Sequence, residues 1–189
     1  MPSPVAELLR DLATSLDGLD VEWYVFGAQA AIVHGAARLT ADVDVTVLLP
    51  PAFSRRSLVE ALAQFEPRFG DSHFLEHTRV IPVAHTATGI PVDLVLGGPG
   101  LEEAFAARAQ RRIVEGVDLP VASAEDIVVM KILATRPKDL EDVAAVLSAQ
   151  HASFDATYTR HTLVVLEQAL GQSDLLPVFD RLWSATGGE

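Results

Sequence analysis

The sequence contains no cysteine, and only two of its 14 cationic side chains are lysines. The first absence excludes disulfides, thiolate metal sites and cysteine nucleophiles, so any bound metal must be held by oxygen or imidazole. Positive charge is scarce throughout: 26 acidic residues give a formal net charge of -12, which repels a phosphate backbone and argues against an extended nucleic-acid surface. No apolar run approaches the roughly 20 residues that a membrane span needs. Nor does a basic stretch followed by an apolar one mark a secretory leader. The expectation is a cytoplasmic protein without membrane contact. What the chain does have is apolar material, 49% of 189 residues, enough at this length to bury about 70% of the unfolded surface. Its two lysines, Lys131 and Lys138, fall in one short segment.

Periodicity organises the chain. Val5, Leu8, Leu9, Leu12 and Leu16 recur at helical spacing, which predicts an opening helix from Met1 to Leu16 that stops at Asp17-Gly18. Val21 to Phe26 reads as a buried strand, Gly27-Ala28 as a turn into a short helix, and Gly35 as its stop. A strand is expected over Asp42 to Leu49, and after Pro50-Pro51 a helix from Ala52 to Phe65 with Leu58, Leu62 and Phe65 inward. Arg79 to Thr86 and Pro91 to Leu96, separated by Thr88-Gly89, predict an antiparallel pair. Gly97-Gly98-Pro99-Gly100 breaks the chain before a helix from Leu101 to about Ala109 and a hairpin over Arg112 to Val121 that turns at Glu115-Gly116. From Ser123, a helix-capping residue, the remainder reads as helices interrupted at Pro137. The expected division is a core over 1–122 and a helical lobe over 123–189.

Carboxylates on apolar strands carry the chemical signal. Alternation in Asp42-Val43-Asp44-Val45-Thr46-Val47 puts Asp42, Asp44 and Thr46 on one face. Asp93 is a third lone acid on an apolar strand. Aspartate is disfavoured in strands and costly to bury unpaired. Two carboxylates about 4 Å apart repel by roughly 4 kcal/mol at an effective dielectric of 20, so three together call for divalent cations. Six histidines are read as non-ligands, with His73 and His77 in a loop or strand.

The pattern Phe26-Gly27-Ala28, Gly35, Arg38-x-Thr40-x-Asp42-x-Asp44 and later Asp93 resembles the nucleotidyltransferase superfamily related to DNA polymerase beta. The segment from Ala124 through Lys131, then Arg136-Pro137-Lys138-Asp139-Leu140-Glu141-Asp142, resembles the helical motifs of bacterial abortive-infection toxin nucleotidyltransferases and their single-domain relatives. Ala28 departs from the family's usual second glycine or serine. The resemblance implies an α/β (α+β) fold, a small mixed sheet flanked by helices with a C-terminal helical lobe.

It also implies an activity: transfer of a nucleoside monophosphate from an NTP such as ATP to an acceptor hydroxyl, in an enzyme of toxin–antitoxin type. Asp42, Asp44 and Asp93 would be catalytic and hold two Mg²⁺ or Mn²⁺ ions. Gly27, Ala28, Arg38, Thr40, Lys131 and Asp139 would face the nucleotide. The acceptor is left open between RNA, a protein hydroxyl and a small molecule, as is the existence of a protein partner. Two alternatives stand beside this reading: a degenerate member of the fold that binds without turnover, and a glycosyltransferase using Asp-x-Asp, for whose nucleotide-sugar domain 189 residues leave little room. The bland reading of Arg38 is a surface cation paired with Asp42; that of Asp139 and Asp142 is a pair of acids near a helix start.

Overall fold

The structure, a computed structural model, describes residues 3–70 and 72–188. The chain divides into two compact units, one of residues 1–29 and 40–122 and the other of residues 30–39 and 123–189. Met1 and Pro2, inside the expected first helix, lie outside the described residues.

In the first unit, helix α1 (Pro4–Asp17) starts where the Ser3 side chain accepts a hydrogen bond from the Ala6 amide, and Leu8, Leu9, Leu12 and Leu16 are completely buried along one stripe. Among the described residues seven strands form one mixed sheet: β1 (Glu22–Phe26), β2 (Val43–Leu48), β3 (Phe65–Pro67), β4 (Val80–His85), β5 (Pro91–Leu96), β6 (Gln110–Val114) and β7 (Val117–Val121). Their order is β3-β4-β5-β2-β1-β7-β6. Strand β2 pairs antiparallel with β1 and parallel with β5, and β1 pairs parallel with β7. Both short connections are hairpins. Gly89, at φ +70, lies in the longer turn that closes β4 onto β5, and left-handed Glu115 and Gly116 close β6 onto β7, as a tight two-residue turn requires. The α/β fold with a mixed sheet flanked by helices is therefore the one the resemblance implies.

Three local readings need correction. Strand β2 begins at Val43, leaving Asp42 exposed just ahead of it. The helix expected over Ala52 to Phe65 is shorter, α3 (Arg55–Ala61): the Ser54 side chain caps it by accepting from the Ser57 amide, Leu62 leaves helical geometry, and Phe65 opens β3. Leu58, Leu62 and Phe65 are all buried, so the apolar spacing persists across a change of element. His73 and His77 lie on a short helix, α4 (Ser72–His77), with rings stacked at 4.5 Å. Helix α5 (Leu101–Arg108) completes this unit and buries Phe105.

The second unit contains the larger part of α2 (Gly27–Val33), with α6 (Ala124–Ala134), α7 (Pro137–Gln150), α8 (Ala156–Leu170) and α9 (Leu175–Ala185). Ser123 caps α6 through the Asp126 amide, Thr135 ends it in the left-handed region, and Pro137 starts α7, where its missing N–H costs nothing. Ile127, Val128, Ile132, Val143, Leu147, Leu163, Phe179 and Trp183 are buried. Gly35, at φ +112, lets the backbone pass close to α7: a Cβ there would stand 2.3 Å from that of Ala149.

Candidate functional site

Sheet register brings two of the sequence-marked acids side by side. Asp44 on β2 is the Cα partner of Asp93 on β5, so in adjacent parallel strands, about 4.8 Å apart, both carboxylates leave the same face. Each is half-buried between valines and leucines that face the other way.

Gly27 explains itself here. Asp44 is also the register partner of Phe26, the last residue of β1, so the chain turns into α2 directly over the carboxylate. A Cβ on Gly27 would lie 1.9 Å from Asp44 Oδ2, and φ is +65. Only glycine suits the position. Ala28 follows as a buried residue. Asp42 stands ahead of the strand with Oδ1 2.5 Å from the Thr40 hydroxyl, which donates to it.

In donor chemistry, carboxylate oxygens without a soft ligand, and in backbone register, Asp44 and Asp93 fit a hard divalent cation. Among the described residues no three acid or histidine side chains draw together into a metal-binding group. Asp42 instead spends one oxygen on Thr40.

The second unit holds the remaining candidates in one ionic network. Lys131, almost fully buried on α6, donates to Asp139 Oδ1 at 3.2 Å and to Asp142 Oδ2 at 2.7 Å, both on α7. Arg38 NH1 donates to the same Asp142 oxygen at 2.7 Å. Arg136 grips Asp139 with Nε at 2.5 Å and NH2 at 3.3 Å. Burial pushes the Asp139 carboxyl up, but the Arg136 hydrogen bond and the Lys131 charge outweigh it and hold the group below the usual carboxylate range.

Arg38 thus meets Asp142 rather than Asp42. Asp139 and Asp142 are buried acids rather than solvated ones at a helix start. Asp142, which the sequence reading left out of the site, holds the network together. Its signal was its spacing: with Asp139 at i, i+3 it shares the inward face of α7 with Val143 and Val146. A cavity of about 370 Å³ opens beside it, lined by Ala37, Arg38, Leu39, Lys138, Glu141 and Asp142 among others.

Comparison with known proteins names the architecture. The antibiotic-resistance factor ANT(2'')-Ia superposes with a TM-score of 0.61 at 14% identity, covering 90% of this chain and 97% of the other. The same factor in complex with adenylyl-2''-tobramycin gives 0.59 at 14% identity, over 89% and 99% of the two chains. An antigenic nucleotidyltransferase-like protein from Paracoccidioides brasiliensis gives 0.55 at 19% identity, over 92% and 91%. These likenesses establish the fold. No curated protein sequence matches the chain at a significant level. The model of a family described as nucleotidyltransferase of unknown function (DUF6036) matches residues 4–162, most of the chain, and the protein belongs to that family.

Proposed function

We propose that the protein is a metal-dependent nucleotidyltransferase that moves a nucleoside monophosphate, in the first instance from ATP, to an acceptor hydroxyl while pyrophosphate leaves. The observation that carries this reading is the register of Asp44 with Asp93 beneath a glycine whose missing side chain leaves room for the Asp44 carboxylate. Family membership supports the class of reaction.

Asp44 and Asp93, with Asp42 through the oxygen that Thr40 does not hold, are the residues that would hold Mg²⁺ or Mn²⁺ together with the triphosphate. Bound there, the cations neutralise the carboxylates and polarise the phosphates. Asp93 faces the acceptor hydroxyl and takes part in its deprotonation. Gly27 and Ala28 bring backbone amides near the phosphates without a bulky side chain in the way. Thr40 fixes the approach of Asp42. In the helical unit, Arg38, Lys131 and Arg136 outnumber Asp139 and Asp142 by one charge, and that surplus favours a polyphosphate in an otherwise acidic chain. Lys131 and Asp139 act there as a mutually fixed pair, with Arg38 as the more exposed cation. The acceptor remains a hydroxyl of RNA, protein or a small molecule; the adenylyl-2''-tobramycin in the ANT(2'')-Ia complex supports the last. The toxin–antitoxin setting implied by the sequence resemblance belongs to the same proposal.

The test is stabilisation by nucleotide and metal together. A ligand that binds only the folded state at a hundredfold excess over its Kd adds about 2.7 kcal/mol, so thermal unfolding with each of the four NTPs and Mg²⁺ or Mn²⁺ should show a shift for at least one pair, accompanied by pyrophosphate release. No shift for any combination would sink the reading. A binder without turnover is favoured by the Thr40–Asp42 bond and by the paired state of Lys131; it predicts the shift without pyrophosphate.

A further inference from the structure

Away from these acids, three side chains in the first unit form a relay that the proposed reaction does not use. Thr88 Oγ1, in the β4–β5 turn, lies 2.9 Å from His85 Nδ1, and His85 Nε2 lies 3.0 Å from Asp11 Oδ2 on α1. His85 is 1% exposed and packs against the Phe65 ring. A carboxylate can only accept, so Nε2 carries a proton, and when the imidazole holds a single proton Nδ1 is the acceptor. The Thr88 hydroxyl therefore points its proton at a base that a carboxylate already orients. That is the arrangement which makes a weak hydroxyl nucleophilic.

Turn closure does not require it. The His85 amide donates to Ile90 O at 2.9 Å and the Gly89 amide to His85 O at 2.7 Å, which closes the turn through the backbone; Thr88 Oγ1 adds only a long contact, accepting from the Ile90 amide at 3.4 Å. Thr86, Ala87 and Gly89 are exposed around a half-exposed Thr88, so the tip is open to a reagent. The nearby amides of Gly89 and Ile90 are directed at His85 O and at Thr88 Oγ1 itself, leaving neither for the oxyanion of an acyl transfer. An electrophile that brings its own charge stabilisation, a metal-bound nucleoside triphosphate, suits the site better.

We propose that Thr88 is a modification site, an acceptor hydroxyl that receives a nucleoside monophosphate from an NTP held by a second copy of this chain. The proposal rests on the nucleotidyltransferase reading above and names a protein hydroxyl as an acceptor. Thr88 Oγ bonds to the α-phosphorus as the bond from that phosphorus to the pyrophosphate oxygen breaks. At this acceptor the proton passes to His85 Nδ1 in place of Asp93, Asp11 balances the imidazolium, and pyrophosphate leaves. The donor is a second copy because of the sheet's alternation. Asp93 is the register partner of Pro82, and His85, three residues beyond Pro82, faces the opposite side.

A mixing experiment tests this. The acceptor is tagged full-length chain with Asp44→Asn, which keeps the relay; the donor is Thr88→Val, which keeps the acids. With Mg²⁺ and each α-labelled NTP, mass spectrometry should find one added nucleoside monophosphate on the Thr88 peptide of the tagged chain, only when donor is present. Thr88→Ser in the acceptor should keep the label, while Thr88→Val, of the same shape, should lose it. Asp11→Asn should slow labelling at least tenfold with no change in NTP affinity of the donor. Pyrophosphate release without label at Thr88, or label that survives Thr88→Val, overturns the proposal and leaves the transfer reading standing. A chain that neither binds NTP nor releases pyrophosphate overturns both.

Discussion

Lys131 Nζ stands 2.7 Å from Asp142 Oδ2 and 3.2 Å from Asp139 Oδ1, so the ammonium that the family resemblance points at nucleotide phosphates is already neutralised by two carboxylates of the next helix. Desolvating such a group is expensive, and geometry of this quality is what offsets the cost. The lysine is consequently a structural group as well as a proposed phosphate partner, and its two roles respond differently to substitution.

Lys131→Met leaves two buried carboxylates with only Arg38 and Arg136 against them. Breaking a buried pair on one side costs about 3–5 kcal/mol, and urea unfolding of the variant should lose stability on that scale. Lys138→Met, an exposed position on α7, should stay within about 0.5 kcal/mol. Equal stability of the two variants would remove Lys131 from the centre of the network.

The depressed Asp139 carboxyl makes a prediction about acid. A carboxylate whose folded value lies below its unfolded value, about 3.9, contributes stability in full above that unfolded value and loses it as pH falls through the folded one. Stability of the wild type should therefore fall as pH drops below about 4 more steeply than that of Asp139→Asn, measured by denaturant unfolding across pH 2–6. Parallel curves would mean that Asp139 titrates alike in both states.

Gly27→Ala introduces a Cβ where Asp44 Oδ2 now lies, at a φ of +65. The left-handed backbone alone costs a non-glycine residue about 1 kcal/mol or more, and the carboxylate must move as well. The variant should fold, unfold at a lower temperature, and transfer nucleotide at least tenfold more slowly than wild type, as read by pyrophosphate release. Normal turnover would mean that the position of Asp44 is not critical.

Much of this molecule is visible in its sequence wherever local chemistry decides. The alternation in Asp42 to Val47 marked β2, the Glu115-Gly116 pair marked the second hairpin, and Ser123 with Pro137 bounded α6 and α7 because caps and turns act within a few residues. Leu62 and Phe65 misled because apolar spacing reports burial, and burial continued from α3 into β3 without a break in period. His73 and His77 belong to a single short helix too brief to leave a periodic trace. Nonlocal partners were the other limit. That Asp44 faces Asp93 depends on a strand pairing across nearly fifty residues, that Asp142 takes Lys131 depends on the packing of α6 against α7, and Arg38 reaches the same acid, rather than Asp42, across more than a hundred residues. Sequence spacing shows that these residues are suitable; only the fold decides which of them meet.

The central claim is that Asp44 and Asp93 bind a metal–nucleotide complex, and calorimetric titration of Mg-NTP into the wild type and Asp44→Asn tests it most directly. Asp93→Asn serves as the comparison, since loss of the residue proposed to face the acceptor should slow turnover more than it weakens binding. The account predicts saturable, Mg²⁺-dependent binding to the wild type, with affinity for Asp44→Asn lowered at least tenfold, about 1.4 kcal/mol, in a variant whose folding is checked by circular dichroism. Equal affinities in wild type and Asp44→Asn would contradict it.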